Sequence, residues 1–464
     1  MNLTTVSAKA GILALAALCG ALAAWKPHWF ALAALVATVG VLPLARTAWN
    51  LSIPQLAGAL LIGIQISYVL CHTWFDVDYV PTFKYLRVPL LLVLPITAVF
   101  GGFLRARKPE LTLPLGLALT YILWVVVAGQ WGLDPKRTLL LSTVMFLVVM
   151  NAGIAVAISD DPAELWGRFL QGLTWLGIAS CLACVVAIAS GSEIVRADRW
   201  ISGEQRNAYR GIFFNANVMG AQGLVTIGAA LAYRTLFPKR KQFWIPGVLI
   251  LAGGVVLASA SRGCFVAYTI AVFFYLFEGR GRLRVGGRAA VVLGLILTVA
   301  IAASTTEVAS SALDRLAGTA SSLESGEEGR FHIWKTYVER TWNHPIVGAG
   351  FGNSALQGNY IAMRTAPRAH SPHSLLVQYL VGPGVPAGLL FGALLVMVGR
   401  RLKSWRSEPL RASVLMFWLI LSPLFLGSTV TGPSDWGALL MWLPLMVIGS
   451  LPLQPTTLPQ TGAT

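Results

Sequence analysis

The segment RAHSPHSLLVQ, residues 368–378, sets two imidazoles, His370 and His373, directly before a long apolar run. The whole chain has only six histidines, so two at one boundary between water and apolar surface form a candidate pair for proton transfer. An imidazole changes charge near neutral pH, and in its neutral form it takes a proton from a hydroxyl. His373 stands at the start of a predicted helix, where the partial positive charge of the helix end disfavours the imidazolium. The other reading of His373 is a helix cap or an interface residue. Pro372 holds Ser371 extended, so the two rings need not share a face, and His370 competes for either role.

Two arginines carry the complementary chemistry. Arg210 opens the apolar run in YRGIFFNANVMG, and Arg262 sits in ASASRGCFVA between two apolar runs with no acidic neighbour. A guanidinium is a planar fork of donors that suits a phosphate or pyrophosphate. Each arginine alone is equally readable as a snorkelling interface residue. Asn215 and Asn217, one turn beyond Arg210, either add hydrogen bonds to the same ligand or satisfy helix backbone.

A metal site is the rival use of the histidines. Glu324, Glu327 and Glu328 in SSLESGEEGR are available upstream, but nothing holds them at a recognisable ligand spacing, so neither a metal nor a cofactor is predicted. CLAC at 181–184 spells a redox or metal spacing, yet it lies inside an apolar run and reads as small packing residues. NHPIVGAGFGN, 343–353, imitates a phosphate loop. It follows no predicted strand, and its glycines read as a tight turn that lets the segment pack closely on its neighbours.

The elements that must position these groups are membrane helices. The 464 residues are 56% hydrophobic and 12% charged, with mean hydropathy +0.69, whereas soluble domains carry about 25% charged residues. Apolar runs long enough to span a bilayer recur near 8–25, 29–45, 53–71, 86–104, 111–130, 138–158, 170–190, 214–236, 244–260, 263–278, 288–304, 374–399, 411–428 and 435–452. Their lack of polar–apolar alternation disfavours a β-barrel. The predicted fold is therefore an all-α polytopic bundle of 12–14 transmembrane helices, the first read as retained because no cleavage signal follows it.

The net charge of +16 sits in short links, which points to topology control and anionic headgroups rather than nucleic acid. RARK (105–108), RTLFPKRK (234–241), RGRLRVGGR (280–288) and RRLKSWRSEPLR (400–411) fall on one side, the cytoplasmic one by the positive-inside rule. The acidic link at 159–168 falls there too. The segments 191–213, 259–263 and 305–373 fall opposite, on the periplasmic side of a bacterial inner membrane. The predicted division is N-terminal spans in 1–190, central spans with Arg210 and Arg262 in 191–304, and a large periplasmic loop in 305–373. C-terminal spans in 374–452 and a disordered tail in 453–464 complete it. Within the loop, Phe331, Trp334, Tyr337 and Val338 recur at helical spacing and predict an amphipathic helix.

Four segments in order carry a resemblance: RGIFFNANVMG, SASRGCFVA, HIWKTYVERTWNHPIVGAGFGN and HSLLVQYLVGPGVPAGLLF. Over roughly residues 205–392 the chain resembles the O-antigen ligases and polymerases of bacterial surface polysaccharide assembly. It departs from their pattern at Ser374, where Asn is common, and at Val377, where Leu is usual. The resemblance implies a metal-independent, inverting membrane glycosyltransferase with a GT-C-like fold. Its donor would be a glycan on undecaprenyl pyrophosphate, with Arg210 and Arg262 holding the pyrophosphate. His373 would deprotonate the acceptor, a lipid A–core hydroxyl for a ligase or another carrier-linked repeat for a polymerase. Protein O-oligosaccharyltransferases share the same implied site. Outside enzymes, a membrane transporter is the competing reading, because Pro383 and Pro386 interrupt a span.

Overall fold

The computed structural model describes residues 52–70, 91–96, 113–131, 135–191, 196–201, 204–213, 215–238, 242–259, 261–278, 334, 338–339, 341–348, 351, 374–402, 408–427 and 436–451. The predicted spans at 8–25, 29–45 and 288–304, and both ends of 86–104, lie outside these residues. Eleven helices and one hairpin are defined among those described. The helices are α1 (Ile53–Leu70), α2 (Leu113–Ala128), α3 (Pro135–Ile158), α4 (Pro162–Ala189), α5 (Ala216–Leu236) and α6 (Ile245–Ala258). Next come α7 (Arg262–Glu278), α8 (Leu375–Leu380), α9 (Val385–Leu402), α10 (Pro409–Gly427) and α11 (Trp436–Gly449). Four stretches among the described residues are long and apolar enough to cross a bilayer: Leu113–Trp131, Thr138–Ile158, Pro162–Ala189 and Val385–Leu402. Five shorter apolar helices accompany them. The protein is an all-α polytopic membrane protein.

Its centre is α5, which packs on α4, α6, α7 and α10. Of its 21 residues 18 are buried, as expected for a helix that is apolar all round. Within a bilayer there is little hydrophobic drive between helices, so close approach through small residues holds them together. A Cβ at Gly223 would lie 2.9 Å from the Ala252 carbonyl oxygen of α6, and one at Gly177 of α4 would overlap Thr226 of α5. These glycines let neighbouring helices approach closely.

One polar relay fixes the far end of α5. The Trp166 indole N–H donates to Ser413 Oγ (2.9 Å), and Ser413 donates to the Ala232 carbonyl (2.7 Å). Beside it, Arg411 Nη1 donates to the Arg401 carbonyl (2.7 Å) and Arg401 Nε to the Leu451 carbonyl (3.0 Å). These contacts clamp α4, α5, α9, α10 and the end of α11 at one basic end of the bundle.

Three departures from the sequence reading have physical causes. The link read at 159–168 is already helix from Pro162. Asp161 caps that helix by accepting from the Ala163 and Glu164 N–H groups (2.8 and 3.2 Å), and Pro162 opens it. Those are start signals that a search for apolar runs passes over. The segment 191–213 holds an antiparallel hairpin, β1 (Arg196–Ile201) and β2 (Glu204–Tyr209), with Arg196 opposite Tyr209 and Ile201 opposite Glu204. Its strands are mostly polar, so no alternation announced them.

The third departure is the span read at 374–399, which is two helices. Between α8 and α9 the chain turns at Val381–Gly384, with Gly384 at φ +87°, and the NHPIVG segment, 343–348, docks into this break. Val385 N donates to the Pro345 carbonyl (2.8 Å), Thr341 Oγ1 donates to the Val381 carbonyl (3.0 Å), and the Trp124 indole donates to the Pro383 carbonyl (3.0 Å). A Cβ on Gly348 (φ +62°) would collide with the backbone of Gly382 and Gly384. Gly348 of the false phosphate loop therefore serves close packing. Phe351 then enters a buried aromatic cluster with Tyr379, which also holds Tyr121, Phe391 and Trp442. Because both turns need a left-handed backbone and touch backbone to backbone, Gly348→Ala or Gly384→Ala should each destabilise the protein by about 1–3 kcal/mol. A lowered unfolding temperature in detergent, with earlier proteolysis near residue 346, checks this.

In the amphipathic stretch, Trp334, Val338 and Glu339 are helical, as are residues 341–343. Phe331 and Tyr337 lie outside the described residues. Val338 and Trp342 are 50% and 75% exposed, so the apolar stripe is not spent on the bundle's own core.

Candidate active site

The end of the bundle opposite the Arg401–Arg411 clamp gathers most of the candidate residues' backbone. Helix direction makes this a deduction from contacts. α10 runs antiparallel to α5: Ser413 meets Ala232, and Phe417, Ile420 and Leu421 meet Gly228. Carried further, that register sets the end of α10 beside the first turns of α5.

Arg210 sits just ahead of those turns. Its carbonyl accepts from Phe213 N (3.0 Å), closing a turn through Gly211 at φ +57°. A Cβ on Gly211 would lie 2.5 Å from Cys184 Sγ and 2.9 Å from Met219 Sδ. The Arg-Gly pair is thus fixed by two demands at once: a left-handed backbone and room against α4 and α5. Cys184 and Cys181 are buried and free of disulfide; Cys184 is the floor under Gly211, which bears out packing as the use of CLAC.

Asn215 is the N-cap of α5. Its backbone is extended, and its side chain accepts from Asn217 N at 2.8 Å. Of the two roles open for Asn215, satisfying helix backbone is the one observed. Asn217 is half-buried in the first turn.

Arg262 is the first residue of α7. The turn before it is built by serines: Ser259 Oγ donates to the Val256 carbonyl (2.7 Å) and accepts from Ser261 N (3.3 Å). A Cβ on Gly220 would overlap the Ser259 hydroxyl and lie 3.3 Å from Cys264 Sγ. The α6–α7 turn therefore leans on α5 at Gly220, next to Met219, against which Gly211 packs.

His370 and His373 lie outside the described residues, as do Glu324, Glu327 and Glu328. The residue after His373 is described. Ser374 is the N-cap of α8; its hydroxyl accepts from Val377 N (3.3 Å) and donates to the Phe425 carbonyl near the end of α10 (3.4 Å). Asn and Ser are both strong N-cap residues, so the departure from Asn at this position keeps the same physical role. The cap was legible as a Ser immediately before an apolar run; its bond to α10 was not.

At this end, then, the Arg210 turn, the N-termini of α5 and α7, and the start of α8 come together. The N-terminus of a helix presents unsatisfied N–H groups and partial positive charge, which favours anions. Such an end, with arginines in its turns, suits a phosphorylated lipid. The comparisons with known proteins now bear on it: residues 247–392 match the family model described as O-antigen ligase. The match covers roughly the central and C-terminal third of the chain, including α7, α8 and the break before α9. No curated protein matches the chain.

The O-antigen ligase match begins one residue beyond the first proline of α6 and ends inside α9. It therefore spans Arg262, the Gly348 turn, both histidines and the helix break. Arg210, Asn215 and Asn217 precede it, in the turn, the cap and the first turn of α5, the helix against which the matched α6 and α7 pack.

Proposed function

We propose that the protein is an O-antigen ligase that moves a polysaccharide from undecaprenyl pyrophosphate to a hydroxyl of lipid A–core at the periplasmic face of the inner membrane. The observation that carries this reading is the gathering of the Arg210 turn, the first residue of α7 and the start of α8 at one end of the bundle. The basic links at 234–241 and 400–411 adjoin the other end, which supports a cytoplasmic assignment for that end and a periplasmic one for the site.

In this reading Arg210 and Arg262 grip the pyrophosphate and offset its growing charge as the anomeric C–O bond breaks. His373 accepts the proton of the acceptor hydroxyl. The freed oxygen attacks the anomeric carbon from the face opposite the leaving group, so configuration inverts and undecaprenyl pyrophosphate departs. Asn217 and His370 are further candidates to orient donor or acceptor. The arginines supply the electrostatic stabilisation that a divalent ion supplies elsewhere.

The test is transfer by the purified full-length protein, given carrier-linked glycan and lipid A–core, with products sized. Core bearing the whole glycan supports a ligase. Lengthened glycan still on the carrier supports a polymerase, and no transfer to either acceptor rejects both. Excess chelator is expected to leave the rate unchanged; loss of activity that a divalent ion restores would replace the arginine mechanism with a metal one.

A further inference from the structure

The break between α8 and α9 lies at the depth of membrane-crossing helices. The span Leu113–Trp131 begins at the basic end, where a Cβ on Gly449 of α11 would lie 2.9 Å from Pro114 Cβ. Trp124 therefore sits seven residues, about 10 Å, inside the opposite end of that span. Its indole bonds the Pro383 carbonyl of the break. Lipid offers backbone groups no partners, so irregular chain at such a depth must find them within the protein. The segment 341–348 supplies them: Thr341 donates to the Val381 carbonyl, and the Pro345 carbonyl accepts from Val385 N. It also closes on itself, with His344 N donating to the Thr341 carbonyl (3.0 Å) and Gly348 N to the His344 carbonyl (2.7 Å).

The other side of this segment is apolar and open. Trp342 and Ile346, four residues apart, stay exposed, Ile346 by 63%, and Val338 four residues earlier extends the strip. The strip runs on into α9. The Ile346 carbonyl abuts Gly384, where a Cβ would fall on it, and Val385 and Leu389, 40% and 70% exposed, carry the strip one turn down a bilayer-crossing helix. Glu339 and Asn343, also four apart, form an exposed polar strip beside the apolar one. Trp131 stands exposed where α2's span ends on the same side of the molecule. Tryptophans at the mouths of spans mark headgroup level.

We infer that residues 341–348 are seated in the leaflet at the candidate active-site end, with Trp342 and Ile346 among the upper acyl chains and Asn343 on the water side. Within the long loop read at 305–373, this piece is a membrane contact of its own, and it braces the α8–α9 break from the lipid side. Lipid is the occupant because the strip continues the exposed flank of a helix that crosses the bilayer. A protein covering it would have to displace lipid from α9 as well. The inference does not rest on the ligase reading, since it uses packing and exposure alone.

Nitroxide labels on Trp342→Cys, Asn343→Cys and Leu389→Cys test it, in the full-length protein in vesicles of phosphatidylethanolamine and phosphatidylglycerol at low protein density. Signal from the protein's own five cysteines is subtracted with the labelled parent. Collision with oxygen, which concentrates in lipid, and with a water-soluble nickel chelate gives the depth of each label. The 342 label is expected about 5–10 Å below headgroup level, the usual seat of an interfacial helix's apolar face. The 389 label should lie deeper and the 343 label shallower. Ile346→Cys repeats the reading on the same strip and is expected at the depth of the 342 label. Collision at 342 and 346 mainly with the chelate overturns the inference by placing the strip in water. Shielding of both labels from both reagents overturns it by placing protein there.

Discussion

His373→Ala should abolish glycan transfer while leaving membrane insertion and thermal stability unchanged. The expected loss is about 10²–10⁴-fold, the usual worth of a positioned general base. The reason is chemical: a sugar hydroxyl is a poor nucleophile until its proton is taken, and among the proposed site residues only the imidazoles exchange protons near neutral pH. Selectivity of the loss is what makes the test informative. Ser374 caps α8 with its own hydroxyl and ties it to Phe425, so truncating the preceding side chain leaves the helix start intact. His370→Ala serves as the counterpart and should retain most activity. Full transfer by the His373 variant, with loss in the His370 variant, would move the base to His370; full transfer by both would remove imidazole from the reaction.

Arg210→Lys and Arg262→Lys should each lose at least about tenfold in transfer although the charge is kept, because an ammonium cannot make the paired, planar contact of a guanidinium with a pyrophosphate. Replacement by Ala should cost more, about 10²–10³-fold, as when a donor to developing negative charge is removed. Kinetics at varied donor concentration distinguish uniform binding, which raises KM alone, from interaction made in the transition state, which lowers kcat as well. Wild-type rates in both Lys variants would argue against pyrophosphate contact. Gly211 gives an internal control for Arg210. A Cβ at 211 would crowd Cys184 and Met219, so Gly211→Ala should depress activity by displacing the turn while the guanidinium itself remains.

Some of the site was readable before any coordinates. Arg210 and Arg262 drew attention because charged residues at the mouths of apolar runs are costly and need a reason. The packing of the turns that carry them was not readable. Gly211, Gly220 and Gly223 lie in runs where nearly every residue is small or apolar, so no periodicity singles out the face that touches a neighbour. Asn215 shows the limit from the other side: an amide near an arginine suggests a ligand, and only the bond to Asn217 N reveals a cap. The hairpin at 196–209 escaped for a related reason, since mostly polar strands paired through backbone leave no hydrophobic alternation to read.

Bilayer crossing is a property of each segment taken singly. Whether a run such as 170–190 prefers lipid to water depends on its own side chains, and the expected orientation follows from charges in the adjoining links; both are read from the order of residues. That Ser374 would bond to Phe425, that Gly348 would rest on Gly382 and Gly384, and that the α6–α7 turn would lean on Gly220 depend on which faces of distant helices meet. Those pairings are chosen by the fit of many small surfaces at once, and van der Waals fit has no one-dimensional signature. Sequence order marked the apolar runs, though it merged α8 with α9 and began α4 late. Tertiary packing alone decided that a turn near residue 210, a helix start at 262 and a helix cap at 374 would meet at one end.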